Sequence, residues 1–230
     1  REPNYDKSFL VEDSDENLGK EAILKLMNAV DETVVLPERN IKKPFIMPVE
    51  NIYSIAGRGT VVTGKVQQGI VKLGQDLELV GFTDLPTKAS VTGIEMFNKT
   101  VDKGMAGDNL GILLKGVTRD VVRRGQLLAA PGLIGLAQEF WADIYLLTKE
   151  EGGRHTPIFD GFEPQFFFLT ADISGGLEFV PEEGKESNNE DDEREMCMPG
   201  DRKKVKVILR KPMPLDANMS FAIREGGSTI

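Results

Sequence analysis

KPFIMPVENIYSIAGRGTVVTGKVQQGIVKLG, residues 43–74, carries the clearest structural signal in this chain. Its short runs rich in β-branched residues are separated by Gly, Pro or Asn, and they show no helical periodicity. Runs of this kind predict consecutive β-strands. Within this stretch we place strands at residues 45–52 and 59–67.

The same pattern continues to the C-terminus with about one run per 10 to 15 residues, which is typical of closed β-barrels. Pro131-Gly132 interrupts it, and two barrels of roughly 90 to 100 residues suit ordinary domain sizes. The predicted fold class is therefore all-β, with one α-helix followed by two consecutive antiparallel β-barrels at residues 39–131 and 132–230. Further strands are predicted at residues 76–80, 89–95, 109–114 and 126–129 in the first barrel, and at 139–147, 165–173, 176–180, 203–209 and 219–224 in the second.

Residues 1–38 differ from the rest of the chain. Leu18, Ala22, Leu26 and Ala29 recur at helical spacing, which predicts one amphipathic helix. Pro37 ends this helix, because proline cannot continue a helical hydrogen-bond ladder. No second helix is predicted to cover its apolar stripe, so we expect it to pack against a neighbouring domain or on the barrels.

Composition excludes several classes of protein. The chain has 230 residues, 40% of them hydrophobic and 28% charged, which is typical of a globular protein rather than a disordered or fibrous one. No apolar run approaches the length of a membrane span, so no membrane partner is predicted, and the N-terminus does not resemble a signal peptide. One cysteine and one histidine are too few for an internal disulfide or a zinc site, and no metal site is predicted.

Charge is distributed unevenly around a net value of -9. Residues 1–39 carry 5 basic and 10 acidic side chains, residues 40–131 carry 12 and 8, and residues 132–230 carry 11 and 19. Residues 182–195 hold 8 of the acids and no aliphatic or aromatic side chain, which predicts a solvated hairpin tip inserted into the second barrel. A nucleic-acid partner therefore remains compatible with local basic patches.

Two features that suggest catalysis are weak. GTVVTGKV at residues 59–66 is close to the phosphate-loop pattern GxxxxGK[ST], but Val66 replaces the hydroxyl residue, and four consecutive β-branched residues favour a strand. His155 and Cys197 have no predictable partners, and a hydrogen-bonded loop position is the simpler account of His155. No catalytic residue is predicted.

A basic strand and an aromatic run leave their roles open. The strand at residues 202–211 alternates apolar and cationic side chains, and its cationic face is either solvated or follows a phosphate backbone. The two faces carry Val205, Val207 and Leu209, and Lys204, Lys206 and Arg210. In Phe166-Phe167-Phe168, core packing is the simpler interpretation and base stacking the alternative.

Residues 43–74 resemble the second domain of translational GTPases, and three later stretches narrow the resemblance to the elongation factor Tu family. They are TGIEMFNKTVDKGMAGDNLGILLKG at 92–116, EEGGRHTPIFDGFEPQFFF at 150–168 and RKPMPLDANMSFAIREGGSTI at 210–230. The resemblance covers domains two and three of that family, together with the helix from Leu18 onward, and leaves out the acidic segment.

The resemblance implies that GTP and Mg²⁺ bind in an N-terminal domain with a phosphate loop, a DxxG motif and an NKxD motif, which we expect to be absent here. The chain itself would then have no enzyme activity and no cofactor. The helix would be the last helix of that missing domain, and the final strand of the second barrel would also be missing, which would leave an exposed sheet edge. Implied partners are aminoacyl-tRNA, the ribosome, the exchange factor elongation factor Ts and the GTPase domain of the same protein.

The resemblance also implies which residues contact tRNA. The aminoacyl pocket would include Glu50, Asn51, Tyr53, Thr63 and Asn109. The terminal adenosine would contact Ile55, Val61, Glu95 and Leu113, and the 5′ phosphate would contact Arg124. The T stem would contact Arg154, Gln165, Ser174, Lys211, Glu225 and Gly226. Asn51 and Ser174 depart from the Asp and Thr that are usual in the family, which leaves the amino-acid preference open.

The residues themselves permit other interpretations. Val61 and Leu113 would also suit the barrel core, Glu95 would also suit an ion pair with Lys99, and Gly57, Gly59 and Gly64 are most simply turn or bulge residues.

The sequence is compatible with three functions. Presentation of aminoacyl-tRNA is the function that it favours most. The second is a protein-interaction module that docks on a GTPase domain or an exchange factor, and the third is the barrels of another translational-type GTPase such as the sulfate-activating enzyme, against which the GGRHTP stretch argues. Tyr53, the AGDNLG stretch and the acidic segment favour the mitochondrial matrix, with a bacterial or plastid interior as the alternative.

Overall fold

The computed structural model describes residues 19–35, 38–179, 196–217 and 219–230. The predicted acidic hairpin tip at residues 182–195 lies outside these ranges. The described chain divides after Glu38 into a unit with one helix and a second unit, Arg39–Ile230, with all of the strands. The helix within these ranges is not long and apolar enough to span a bilayer.

The predicted helix is present as α1 (Lys20–Thr33). Gly19 precedes it with a φ of 89° and offers no side-chain cap, and Val34 leaves it in an extended conformation. The Val34 N–H still donates to the Val30 carbonyl at 2.9 Å. None of the helical residues is buried within the unit.

The first barrel is entirely antiparallel. Its strands are β1 (Ile46–Pro48), β2 (Asn51–Ile55), β3 (Gly59–Lys65), β4 (Ile70–Lys72), β5 (Asp76–Val80), β6 (Thr87–Met96), β7 (Lys99–Thr100), β8 (Lys103–Met105), β9 (Asn109–Lys115) and β10 (Leu127–Ala129). Within the described residues, eight of them form one sheet in the order β1-β10-β5-β6-β9-β3-β2, with β7 beside β6, while β4 pairs with β8.

The two ends of this sheet meet, because β1 leads directly into β2, and β2 pairs with β3. Glu50 donates its backbone N–H to the Thr63 carbonyl at 2.8 Å. A Cβ on Gly64, the next-to-last residue of β3, would overlap the Pro48 carbonyl oxygen. Gly64 therefore permits barrel closure, and the turn-or-bulge interpretation is wrong for it. For Gly57, which lies in the turn after β2 with a φ of 73°, that interpretation is confirmed.

Alternation along the strands divides the first barrel into a sealed core and an outer face. Val62, Ile94 and Ile112 are completely buried. Val61 and Leu113, one residue away from two of these, point outward and are half-buried. The interpretation of Val61 and Leu113 as barrel core is therefore wrong.

The second barrel is also antiparallel. Its strands are β11 (Leu136–Tyr145), β12 (Ile158–Phe159), β13 (Gln165–Phe168), β14 (Ala171–Phe179), β15 (Met196–Cys197), β16 (Arg202–Pro214), β17 (Ala222–Glu225) and β18 (Ser228–Thr229). In the part of this barrel that the structure describes, six strands form a sheet in the order β11-β16-β14-β13-β17-β18, and β12 pairs with β15. In this order β11 and β18 are the two edges, so the sheet ladder is open between them.

The aromatic run in β13 packs as the alternation predicts. Phe166 and Phe168 are buried in the core, and Phe167 points outward beneath the Arg224 guanidinium, whose central carbon lies 4.7 Å from the ring centroid. Phe140 and Phe221 complete the aromatic cluster. These two rings also line a groove of about 990 Å³ between the open edges.

The two barrels contact each other through hydrogen bonds and a close approach of a glycine. The Thr170 hydroxyl donates to the Val49 carbonyl at 2.9 Å, and the Phe82 N–H donates to the Pro212 carbonyl at 3.0 Å. Gly125 lies so close to Ala171 that an added Cβ would come within 2.7 Å of it. The hydrogen bonds run in both directions between the barrels and fix their relative position at this junction.

The fold class is confirmed, whereas two strand predictions are wrong. The predicted strand 45–52 is divided into β1 and β2, because Val49 leaves the sheet ladder and bonds instead to Gln126 and Gly125. The predicted strand 165–173 is a hairpin, β13 and β14, whose turn begins with Leu169 at a φ of 51°. The short strands β4, β7, β8, β12, β15 and β18 were not predicted.

Candidate nucleic-acid interface

Four neighbouring strands, β2, β3, β9 and β6, form the outer face on which most of the predicted contacts to the tRNA 3′ end lie. Their registers place directly opposed residues on the same side of the sheet. The first row across this face is Tyr53, Val61, Leu113 and Gly93, and the second is Thr63, Gly111, Glu95 and Thr100.

Gly93 and Gly111 leave the middle of this face without side chains, and a groove of about 600 Å³ lies over it. A Cβ on Gly111 would stand 3.7 Å from Val61 Cγ1, an ordinary contact distance, so the glycine is not required by the backbone. Eight of the nine residues predicted for the aminoacyl pocket and the terminal adenosine line this groove: Glu50, Tyr53, Ile55, Val61, Thr63, Glu95, Asn109 and Leu113.

Two predicted contacts do not line this groove. Asn51 is exposed on β2 opposite Thr63, but it is not among the residues that line the groove. Arg124 is exposed at the junction of the barrels, where its Nε donates to the Thr170 carbonyl at 3.4 Å. Asn51 thus borders the groove along the strand, whereas Arg124 belongs to a separate surface.

The groove combines an apolar floor with polar groups. Val61 and Leu113 are adjacent across β3 and β9 and are half-buried. Glu95 is exposed beside them and forms no ion pair with Lys99 or with any other described cation. A flat apolar surface next to a free carboxylate suits a planar ring attached to a group with hydroxyl donors.

Several groove residues were not predicted from the sequence. They are Arg58, Thr92, Phe97, Asn98 and Thr100. Arg58 lies in the turn between β2 and β3, and Phe97 and Asn98 form the turn between β6 and β7. The β7 strand is only two residues long, so periodicity could not identify it, although the asparagine in the turn is a usable hairpin signal.

The predicted T-stem residues of the second barrel fall into two groups. Gln165 and Ser174 are exposed and directly opposed on β13 and β14. Arg154 forms an ion pair with Glu225, next to Gly226, and its guanidinium carbon lies 5.1 Å from the Phe162 ring centroid. Lys211 is exposed on β16. Among the described residues, it forms no hydrogen bond or ion pair with a member of either group.

Glu151 organises the loop that leads to Arg154. Its Oε2 accepts hydrogen bonds from the Thr148 backbone N–H at 2.9 Å, the Thr148 hydroxyl at 3.0 Å and the Tyr145 hydroxyl at 2.9 Å. These bonds, with the backbone bond from Thr148 first, lower the pKa of Glu151, and the bond to Glu151 raises the pKa of Tyr145. The loop is therefore best ordered when Glu151 is ionised.

The basic strand β16 has the alternation that was predicted. Two of its cationic side chains form ion pairs with acidic neighbours. Val205, Val207 and Leu209 are buried. Lys206 Nζ lies 2.8 Å from Glu139 Oε2, and this hydrogen bond raises the pKa of Lys206. Arg210 forms an ion pair with Glu163. A solvated, internally paired face is thus the better account of this strand than a continuous phosphate track.

Comparison with protein-family models gives two matches in this chain. Residues 59–129 match elongation factor Tu domain 2, and residues 134–230 match the elongation factor Tu C-terminal domain. The chain belongs to the elongation factor Tu family. Elongation factor Tu domains imply interaction with aminoacyl-tRNA and the ribosome in general, and they make the chain a member of the GTPases of the translation-elongation-factor type.

In this elongation factor Tu chain, the stretch that is close to the phosphate-loop pattern does not form a loop. GTVVTGK forms strand β3 instead of a loop, and Val66, at the position of the magnesium-ligating hydroxyl, is buried. The string DxxG occurs twice, contrary to expectation. Asp172-Ile173-Ser174-Gly175 lies within strand β14. The other occurrence is Asp108-Asn109-Leu110-Gly111. It belongs to the start of β9, where Asp108 accepts from the Met105 N–H at 3.0 Å and pairs with Arg39.

His155 and Cys197 offer no catalytic arrangement. His155 is exposed in the bend that follows Arg154, which agrees with its predicted loop position. Cys197 is completely buried in β15, and burial raises the pKa of its thiol, so the thiolate is disfavoured. Neither side chain lines the groove of the first barrel.

Proposed function

We propose that this elongation factor Tu chain holds the aminoacylated 3′ end of a tRNA in the groove of the first barrel and the T stem on the second barrel, for GTP-dependent delivery to the ribosomal A site. The observation that carries the proposal is the convergence of Ile55, Glu95, Asn109 and Leu113 on one accessible groove. These residues are distant in sequence and belong to three different strands.

The groove has the chemistry that an acylated adenosine requires. Its half-buried aliphatic floor, Val61 and Leu113, suits one face of the terminal adenine, and the Glu95 carboxylate suits a ribose hydroxyl. Stacking and 2′-hydroxyl contacts are the usual means of recognising single-stranded RNA ends. A volume of about 600 Å³ lies within the ordinary range for ligand sites. Glu50, Tyr53, Thr63 and Asn109 would surround the esterified amino acid.

The second barrel would contact the T stem through its sugar-phosphate backbone. Gln165 and Ser174 offer adjacent exposed hydrogen-bonding groups, and Arg154 is held in position by Glu225. The adjoining Gly226 and Lys211, together with Arg124 for the 5′ phosphate, would complete the contacts. Backbone contacts carry no direct sequence information, which would allow one protein to bind many tRNAs.

The remaining functions would lie outside this chain. GTP and Mg²⁺ would be bound by a GTPase domain of the same protein, so this chain would do no chemistry itself. Elongation factor Ts would exchange the nucleotide, and the mitochondrial matrix is the compartment that we propose.

The first test is removal of the Glu95 charge. Glu95→Gln keeps the shape of the side chain, and the affinity of the chain for aminoacyl-tRNA in a filter-binding assay should fall about 10- to 100-fold, since hydrogen bonds to charged groups contribute about 1.5–3 kcal/mol. Asp84→Asn is the matched control, because Asp84 is exposed on the same barrel but does not line the groove. It should leave the affinity unchanged.

Two results would contradict the proposal. One is equal affinity of the unmodified chain for aminoacylated and deacylated tRNA, because the groove would then not recognise the ester. The other is an affinity that does not fall with rising salt, because phosphate contacts require counterion release.

A second candidate, docking on another protein domain, is favoured by the helix. Ile23, Leu26, Met27 and Val30 are exposed on α1, and an apolar stripe of this kind normally packs against a partner. Size-exclusion chromatography of the chain with and without a separately produced GTPase domain tests this candidate. Co-elution would support it, and separate elution would leave it without support.

A further inference from the structure

The turn between β6 and β7 has an unusual residue in an unusual conformation. Met96 pairs with Lys99, which leaves a two-residue loop, Phe97 and Asn98, with φ values of 51° and 61°. Two consecutive left-handed residues are characteristic of a type I′ hairpin turn, which prefers Asn-Gly or Gly-Gly. Asn98 suits this conformation, whereas the bulky Phe97 is disfavoured in it.

Packing does not compensate for this choice of residue. The Phe97 side chain is 82% exposed, and it belongs to neither hydrophobic core cluster. An asparagine or glycine at this position would give a more favourable turn and a more polar surface. Phe97 therefore lowers the stability of the hairpin without contributing to the fold.

The position of Phe97 indicates what the ring is for. Phe97 lines the same groove as Glu95, Val61 and Leu113, and it projects from the turn that follows Glu95 by two residues. The groove floor offers an apolar surface to one face of a planar ligand only. An exposed aromatic ring at the rim supplies a surface for the opposite face.

We propose that Phe97 is a binding residue that stacks on the terminal nucleobase of the aminoacylated 3′ end and covers the face that Val61 and Leu113 leave open. This inference rests on the proposed function. Base–aromatic stacking is tolerant of sequence, so the contact adds affinity for every tRNA without selecting among them. Stacking in this place also explains a strained, exposed aromatic residue that the fold does not need.

The test is a substitution of Phe97 that should raise the stability of the chain and lower its affinity for aminoacyl-tRNA. Phe97→Asn relieves the left-handed strain, so the thermal midpoint of the chain should rise. Its affinity for aminoacyl-tRNA should fall about 5- to 100-fold, which corresponds to the loss of one base–aromatic stack. Phe97→Trp should keep the affinity of the unmodified chain and should not raise the thermal midpoint, because tryptophan stacks equally well and remains bulky.

The chain contains a matched control on the other barrel. Leu169 is also an exposed apolar residue with a φ of 51°, and it begins the turn between β13 and β14. Leu169→Asn should likewise raise the thermal midpoint, but it should leave the affinity unchanged because Leu169 does not line the groove. The pair separates relief of turn strain from loss of stacking.

A spectroscopic readout reports the contact directly. With 2-aminopurine in place of the terminal adenine, binding to the unmodified chain should quench the fluorescence, and Phe97→Asn should restore it. Unchanged affinity and unchanged quenching in Phe97→Asn, alongside weaker binding by Glu95→Gln, would overturn the role of Phe97 and leave the proposed function standing. Equal binding of acylated and deacylated tRNA by the unmodified chain would overturn both.

Discussion

The two barrels each carry a groove, and the grooves differ in what lies beneath them. The groove of the first barrel, about 600 Å³, lies over an intact ladder of paired strands whose inner residues Val62, Ile94 and Ile112 are completely buried. The larger groove of the second barrel, about 990 Å³, lies between the open edges β11 and β18 and is lined by Phe140 and Phe221, which also pack on the core.

This difference shows why volume alone does not identify a binding site. The floor of the first groove lies on β3, β9 and β6, each of which is paired on both sides, and its shape comes from two glycines in the outer rows. The second groove exists because two sheet edges are unpaired, so its walls are themselves part of an incompletely covered core. Preorganised groups favour recognition, and the paired strands beneath the first groove hold its floor in place.

The largest expected effect concerns the second barrel. Phe166→Ala, at a completely buried ring, should lower the free energy of unfolding by about 3–5 kcal/mol. Phe140→Ala should cost less than half as much, because the Phe140 ring is already partly hydrated in the groove. Urea unfolding followed by the fluorescence of Trp141, the single tryptophan, measures both. Equal costs would show that this groove is closed in solution.

The next comparison uses two glycines of the first barrel, Gly64 in β3 and Gly111 in β9. Gly64→Ala should lower the free energy of unfolding by about 3 kcal/mol or more, because the new Cβ would overlap the Pro48 carbonyl oxygen at the barrel closure. Gly111→Ala should change it by no more than about 0.5 kcal/mol, since its Cβ would have ordinary contacts with Val61 and Thr63. It should nevertheless weaken aminoacyl-tRNA binding by filling the groove floor.

Thermal unfolding and filter binding measured on the same two variants separate the alternatives. If Gly111→Ala bound aminoacyl-tRNA as well as the unmodified chain, the ligand would not reach the middle of the outer face. If Gly64→Ala were as stable as the unmodified chain, the close approach of β1 and β3 would not be what closes the barrel.

The smallest effect is a dependence of the second barrel on pH. Because hydrogen bonds from Thr148 and Tyr145 lower the pKa of Glu151 in the folded state, its contribution is fully present above the ordinary carboxyl pKa and is lost as the pH falls through the folded value. The protection of the Thr148 amide, taken as the ratio of its intrinsic exchange rate to its observed exchange rate, should therefore fall at acidic pH. Glu151→Gln should remove this dependence, and an exchange profile identical to that of the unmodified chain would contradict the assignment.

Sequence reasoning identified the fold class and the family because both depend on local patterns. Four consecutive β-branched residues in GTVVTGK favour a strand, and alternation in residues 203–209 reports the period of a strand directly. Leu169 shows the limit of this reasoning: it is apolar and adjoins an aromatic run, so residues 165–173 read as one strand, although the chain reverses there. Val49 shows another limit. It ends strand β1 through hydrogen bonds with Gly125 and Gln126, which lie more than 70 positions away in the sequence.

The candidate site was anticipated in part. The resemblance named eight residues that line the groove, but it omitted Arg58 and the turn at Phe97 and Asn98. It also placed Asn51 with the pocket residues, although Asn51 does not line the groove. A resemblance carries over the residues of a motif, whereas a groove is lined by whatever side chains the register brings to one face.

By itself, the sequence determined the all-β architecture, the amphipathic helix and the membership of the elongation factor Tu family, because periodicity and matched stretches are properties of the chain as a string. Only the tertiary structure decided that Gly64 serves closure, that Glu95 stands free beside Val61 and Leu113, and that one groove overlies a sealed core while the other opens into one. Strand register and barrel closure pair residues far apart in sequence, and no local pattern specifies those pairs.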